Sequence, residues 1–196
     1  MDQNNRDVLI TENSFDWAKI AALVAGDFSN ARQCLESQGL NAHVLSQLSR
    51  RAEIHEAYGR KILFSSPQYE MMLASWGAGA VCAPHDHANS FGAVWLVEGG
   101  FLEQHFALRP LEGRLSLVSP AIFYRENSVI LVSPGDIHSM QALSSGMSLH
   151  IYSPPVCGMR IFDAAGRRTL TLADDCGAWI PQNPAKIMSQ IAWPNR

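Results

Sequence analysis

This chain has no paired cysteines. Its four, Cys34, Cys82, Cys157 and Cys176, are widely separated and form no CxxC. That excludes a disulfide framework and a zinc-ribbon pattern, and it fits residence in the cytoplasm. Basic charge is scarce too: 15 Lys and Arg stand against 18 Asp and Glu, for a formal charge of -3. No positive field draws in phosphates, so non-specific nucleic-acid binding is excluded as a function class. No apolar run is long enough for a bilayer-spanning helix, so no membrane role is expected. The opening MDQNNRDVLITEN is polar and lacks the basic-then-apolar order of a secretory signal. There is no internal repeat, no low-complexity segment and no linker, so residues 1–196 are expected to form one domain with a sizeable core.

Residues 1–57 read as helical. SFDWAKIAALVAG offers Ser14 as a cap and Gly26 as a stop, with apolar residues at helical spacing. SNARQCLESQGL predicts a short helix ending at Gly39. NAHVLSQLSRRAEIHEA starts on Asn41 as a cap and sets Val44, Leu45 and Leu48 on one face. From Tyr58 to Asp175 the texture changes to short alternating runs separated by turns: YGRKILFS, YEMMLASW, AVWLVEGGFLEQHFAL with a Gly99-Gly100 turn, SVILVSPGDIH, SLHIYSPP and RIFDAAGRRTLTLA. Many short strands at even spacing predict a mainly β sandwich or barrel with the helices packed on one wall. The tail, residues 176–196, carries Pro181, Pro184 and Pro194 and is expected to be irregular and wrapped on the surface.

PHDHANSFG raises the question of a metal. On a strand, His85 and His87 point to one face and can bind one ion together. An HxH pair alone is often just two surface histidines. His138, after the Pro134-Gly135 turn and at the entrance to a strand, is the best third ligand. The spacing Gly79-x5-His85-x-His87-x4-Gly92-x6-Gly99 resembles the first motif of the cupin superfamily, and Gly135-x-x-His138 resembles the core of the second. At Gly92 most cupins carry a glutamate ligand. Without it the ligand set is three neutral imidazoles, a set that suits iron, copper, nickel or zinc alike.

SLHIY sets Ser148, His150 and Tyr152 on one face of a strand and Leu149 and Ile151 on the other. One reading is a half-buried strand with its polar face in water. The other puts that polar face inside a barrel, where Ser148 orients His150 and His150 bonds the Tyr152 hydroxyl, poising it to donate to a metal-bound ligand.

Taken together, Tyr58-x-Arg60, Trp76-Gly77, His85-x-His87, Gly135-x-x-His138 and Ser148-x-His150-x-Tyr152-Ser153-Pro154-Pro155 resemble the thiol dioxygenases of the cysteine dioxygenase family. The resemblance implies a cupin barrel and Fe(II) held by His85, His87 and His138. It implies addition of both atoms of O2 to a thiol sulfur, giving a sulfinic acid, in a monomer whose partners are the thiol and O2. It implies catalytic roles for Tyr152, His150 and Ser148, and a substrate carboxylate held by Arg60 with Tyr58. An arginine at position 60 goes with L-cysteine in the family, whereas glutamine goes with 3-mercaptopropionate and an arginine after Ser-Pro-Pro. That second position falls at Met159, with Arg160 adjacent, so 3-mercaptopropionate and mercaptosuccinate stay open as substrates. A metal-dependent cupin enzyme of another class, or a sensor, also stays open.

The chain departs from the family's animal members at Gly92, where they carry a cysteine that crosslinks to the tyrosine, and at Phe91, where histidine is common. Phe91 and Trp76 are expected to line or back the cavity, and Cys82 to be a packed thiol. The roles of Cys157 and of a cis Ser153-Pro154 bond stay open.

Overall fold

The helices come first, and each ends for a local reason. α1 (Trp17–Gly26) is capped by Asp16, whose carboxylate accepts the Lys19 amide. The cap is not Ser14, which closes a preceding 3-10 turn. α2 (Ala31–Ser37) gives way to Gly39 in the left-handed region at φ 84°. α3 (Ala42–Leu48) starts on Asn41, whose Oδ1 accepts the Val44 amide at 3.0 Å, and it buries Val44, Leu45 and Leu48.

The helical reading of residues 49–57 is corrected: they form an irregular link. Arg50 ties the link down. Its guanidinium donates to Glu56 at 2.7 and 2.6 Å and to the Arg60 carbonyl at 3.0 Å, folding the chain back over the next strand. Gly59 permits this, because a Cβ there would run into the Arg50 carbonyl.

The computed structural model describes residues 10–194. The polar, signal-free reading of the N-terminus lies largely on residues 1–9, outside the described residues. The described strands are β1 (Gly59–Ser65), β2 (Glu70–Trp76), β3 (His85–Asp86), β4 (Phe91–Glu98), β5 (Phe101–Arg109), β6 (Arg114–Leu117), β7 (Ile122–Tyr124), β8 (Val129–Val132), β9 (Ile137–Ala142), β10 (Gly146–Ser153), β11 (Arg160–Asp163), β12 (Arg168–Leu172) and β13 (Ile187–Ala192). They form two antiparallel sheets, ordered β1-β2-β10-β4-β8 and β13-β12-β11-β3-β9-β5-β6, with β7 beside β5. The Gly99-Gly100 turn is present, but the strands it joins do not pair; it carries the chain from one sheet to the other.

The central strands of the first sheet, β2, β10 and β4, are buried on both faces, which explains their near-continuous apolar runs. Met71 and Leu73 of β2, Ala93, Trp95 and Val97 of β4, and Leu149 and Ile151 of β10 pack on the three helices. The alternate residues turn inward to a second core between the sheets, with Phe101, Met140, Ile161 and Leu170. The fold is thus a curled, jelly-roll-like β-barrel with N-terminal helices on one wall.

The tail departs from its expected irregularity. Its end forms β13, which pairs with β12 through Thr169–Ile191 and neighbouring positions, and Trp193 donates to the Thr169 hydroxyl at 2.9 Å. The prolines at 181, 184 and 194 lie outside β13, so they break no ladder.

Candidate metal centre and its cavity

The centre is built across two neighbouring strands of the second sheet. His85 of β3 lies opposite His138 of β9 in register. His87 lies just past β3, which is only two residues long, yet its ring joins the other two: the ring centroids are 4.6–5.1 Å apart. Each histidine offers a nitrogen within 4.8 Å of those of the others, and all three side chains are buried.

The hydrogen bonds fix a bare nitrogen on His85 and leave a buried nitrogen without a partner on each of the other two. A carbonyl can only accept, so His85 Nδ1 donates to Ala83 O at 2.9 Å, and the proton there leaves Nε2 bare. His138 Nδ1 donates to Glu103 Oε1 at 2.5 Å, and His138 Nε2 has no partner. His87 Nδ1 is also buried without a partner. Burial, then mutual repulsion, holds His85 and His87 well below the usual histidine range, so they are neutral. Buried nitrogens without a partner on His87 and His138 and the bare Nε2 of His85, with a carbonyl behind His85 and a carboxylate behind His138, fit a bound metal ion.

Glu103 went unnoticed in the sequence. Burial works against its charge, but the hydrogen bond and charge of His138 prevail and hold its carboxyl below the usual range. His105 Nε2 stands 3.2 Å from its other oxygen. The signal was there in FLEQH, where Phe101, Glu103 and His105 alternate on one face of a strand.

The polar face of β10 lies inside the barrel, as the second of the two readings requires. Ser148 Oγ is 2.8 Å from His150 Nε2, and His150 Nδ1 is 2.9 Å from the Tyr152 hydroxyl. Trp76 extends the chain: its indole N–H donates to Ser148 Oγ at 2.9 Å. The direction follows from chemistry. Ser148 is fully buried, and the acceptor its proton has is His150 Nε2. His150 is neutral, its pKa lowered to about 3 by burial and then by the charges of His138 and Arg60. Its proton therefore sits on Nδ1 and is donated to Tyr152. The Tyr152 O–H is left to point at the centre, where it lies 3.1 Å from His87 Nε2. Burial keeps that phenol protonated, well above its usual range.

Arg60 and Tyr58 line the same cavity as the three histidines and Tyr152. Tyr58 precedes β1; its ring packs between Trp76 and Trp179, and its hydroxyl accepts the Ala178 amide at 3.0 Å. Arg60 Nη2 donates to Asp174 O at 3.2 Å and stands 3.6 Å from Glu70. Asp174, Cys176 and Ala178 come from the segment before the tail strand, so that segment helps wall the cavity.

Arg160 does not enter the cavity. Its guanidinium is bound to Asp86, the buried residue between the two histidines, with Nε–Oδ2 at 2.8 Å. Phe91 is corrected as a lining residue: it is 55% exposed and points away from the cavity. Cys82 is a packed thiol, as expected, accepting the Met140 amide at 3.1 Å, with burial pushing its pKa up to about 12. Cys157 is exposed, and the Ser153-Pro154 bond is cis.

A curled two-sheet barrel enclosing three histidines from β3, the residue just past it and β9 is a cupin. Within that class the chain belongs to the cysteine dioxygenase type I family, whose model matches residues 41–165. Curated relatives include cysteine dioxygenase type 1 of Homo sapiens, 27% identical over 100 residues, covering 49% of this chain and 50% of that protein. The Danio rerio protein is 26% identical over 101 residues, with the same shares covered. The chain therefore spans about half the length of the curated relatives it matches. Similar solved structures include KdgF from Halomonas sp., with TM-score 0.43, 18% identity, and 54% of this chain and 87% of that one covered. A double-stranded β-helix domain protein from Klebsiella pneumoniae gives TM-score 0.48, 10% identity and coverage of 60% and 87%.

Proposed function

We propose that this protein is a non-haem Fe(II) thiol dioxygenase that adds both atoms of O2 to the sulfur of L-cysteine, giving the sulfinic acid. The observation that carries this reading is the placing of Arg60 and the Tyr152 hydroxyl in one cavity with the three histidines. His85, His87 and His138 would hold the metal. Fe(II) there would supply the Lewis acidity that keeps the thiol ionised and the electrons that O2 chemistry needs. Three imidazoles add no negative charge, so the site accepts a thiolate readily.

This chain's residues do the rest. Arg60 offers its fork to the carboxylate and fixes the substrate's orientation. Tyr58, whose oxygen already accepts the Ala178 amide, has its own proton to donate beside it. Tyr152 donates its O–H toward the reacting sulfur, aimed by His150, Ser148 and Trp76. Met72, Met140 and Val156 line the cavity and exclude water. Arg160, occupied by Asp86, is not available as an alternative carboxylate clamp, which favours Arg60 in that role. The partners are the thiol and O2, and the protein acts as a monomer in the cytoplasm. Among the described residues no helix is long and apolar enough to cross a membrane.

The test is oxygen uptake by Fe(II)-loaded protein against L-cysteine, 3-mercaptopropionate and mercaptosuccinate, with the product identified by mass. Uptake with L-cysteine and a mass gain of two oxygens is expected. Arg60→Ala should raise KM far more for cysteine than for cysteamine, which lacks a carboxylate; equal losses would remove Arg60 from that role. No uptake with any thiol would move the chain to a different metal-dependent cupin chemistry.

A further inference from the structure

The carboxylate end of the cavity already contains a carboxylate. Glu70 opens β2 opposite Tyr152 of β10, on the inward face of its strand, and it is only 7% exposed. Its Oε1 lies 3.6 Å from Arg60 Nη2. Arg60 gives a further N–H to the Asp174 carbonyl, and the exposed Asp174 carboxylate is close enough to raise the Glu70 pKa, after burial, against the pull of Arg60. Burying a carboxylate with no partner is expensive, so its place beside Arg60 is a built feature and not a stray surface contact. An ionised Glu70 offsets the Arg60 charge before any ligand arrives.

We propose that Glu70 is a specificity-determining residue that makes this cavity accept one substrate carboxylate and reject a second. The proposal rests on the reading of Arg60 as the carboxylate clamp. A monocarboxylate shares the guanidinium with Glu70 and leaves one excess negative charge at that wall. A dicarboxylate leaves two, in a space where charge is poorly screened. L-cysteine and 3-mercaptopropionate therefore fit, whereas mercaptosuccinate is held off by Glu70. A thiol with no carboxylate is not repelled by Glu70.

The experiment is anaerobic calorimetric titration of Fe(II)-loaded wild type and Glu70→Gln with mercaptosuccinate, 3-mercaptopropionate and cysteamine, and with succinate and propionate as thiol-free probes. Gln keeps the shape of Glu and removes its charge. The expected result is at least tenfold tighter mercaptosuccinate in the variant, a gain of about threefold for 3-mercaptopropionate, and none for cysteamine. Succinate should gain more than propionate. In an Arg60→Ala background the gains should shrink, since no clamp then holds the ligand carboxylate beside Glu70. Gains equal across all ligands, or none for the two dicarboxylates, would overturn the proposal.

The thiol-free probes separate this idea from the proposed function. If succinate tightens as stated but no thiol is oxidised, the charge filter stands and the dioxygenase reading falls. If cysteine is oxidised but succinate and mercaptosuccinate are unmoved, the reverse holds. Should the Gln variant fail to fold, Glu70→Met removes the same charge at similar length and is scored by the same ordering.

Discussion

Gly92 lies directly across the β4–β10 ladder from Tyr152, and a Cβ built on it would stand 2.6 Å from the tyrosine ring and closer still to the Ile151 carbonyl. Any side chain at position 92 therefore moves Tyr152. Gly92→Ala should lower kcat by about tenfold to a hundredfold, the range typical of a misplaced proton donor, while metal content stays at the wild-type level. Steady-state kinetics alongside metal analysis would check this; unchanged kcat would mean the tyrosine position is not critical.

Glu103 fixes the proton of His138 and so the direction of its lone pair. Glu103→Gln should weaken metal binding by roughly tenfold to a hundredfold, the usual effect of losing such a backing carboxylate. Competition against a chelator of known affinity measures it, and His138→Ala in the same assay gives the full loss for comparison.

Ser148→Ala removes the group that holds the His150 proton on Nδ1. The ring can then turn or change tautomer, and Tyr152 loses its donor. A fall in kcat of about tenfold is expected with little change in KM, since substrate contacts are untouched. A rise in KM alone would place Ser148 in substrate binding instead.

Acid should destabilise the metal-free protein well before its carboxylates titrate. The folded His150 pKa is lowered to about 3 from 6.5, and His85 and His87 are shifted in the same direction. Between those values the unfolded chain binds protons that the folded one refuses. Stability is therefore complete above about pH 6.5 and is lost as pH falls toward 3, at up to about 1.4 kcal/mol per pH unit for each such histidine. Urea midpoints at pH 7, 6 and 5 should fall in that order, and His150→Asn should flatten the slope.

The clustering of His85, His87 and His138 and the Ser148-His150-Tyr152 row were legible because both are periodic: a two-residue repeat on a strand and a fixed spacing between turns. The capping role of Asn41 and the end of α2 at Gly39 were legible for equally local reasons. What escaped depends on which strands become neighbours. Glu103 matters because β5 lies beside β9, and Glu70 because its side chain, though opposite Ser65 in register, reaches the Arg60 guanidinium inside the barrel. Nothing within either strand announces that. Arg160 was adjacent in sequence to a plausible substrate position, yet β11 pairs with β3 and delivers it to Asp86. Phe91 failed as a lining residue because it begins β4 on the outer side of the sheet, where alternation turns its side chain to solvent.

β10 serves two cores at once. Met147, Leu149 and Ile151 belong to the packing under the helices, and Ser148, His150 and Tyr152 to the interior of the barrel. The barrel interior thus has no floor of its own. A slip of one residue would exchange the two rows, pressing leucine and isoleucine against the histidines and driving three polar groups into the helices' apolar seat. Proper assembly of the helical cap and correct aim of the tyrosine are therefore one event. A lesion as remote as a cavity at Leu35 or Leu45 reaches the reactive end of the molecule through the thickness of a single strand.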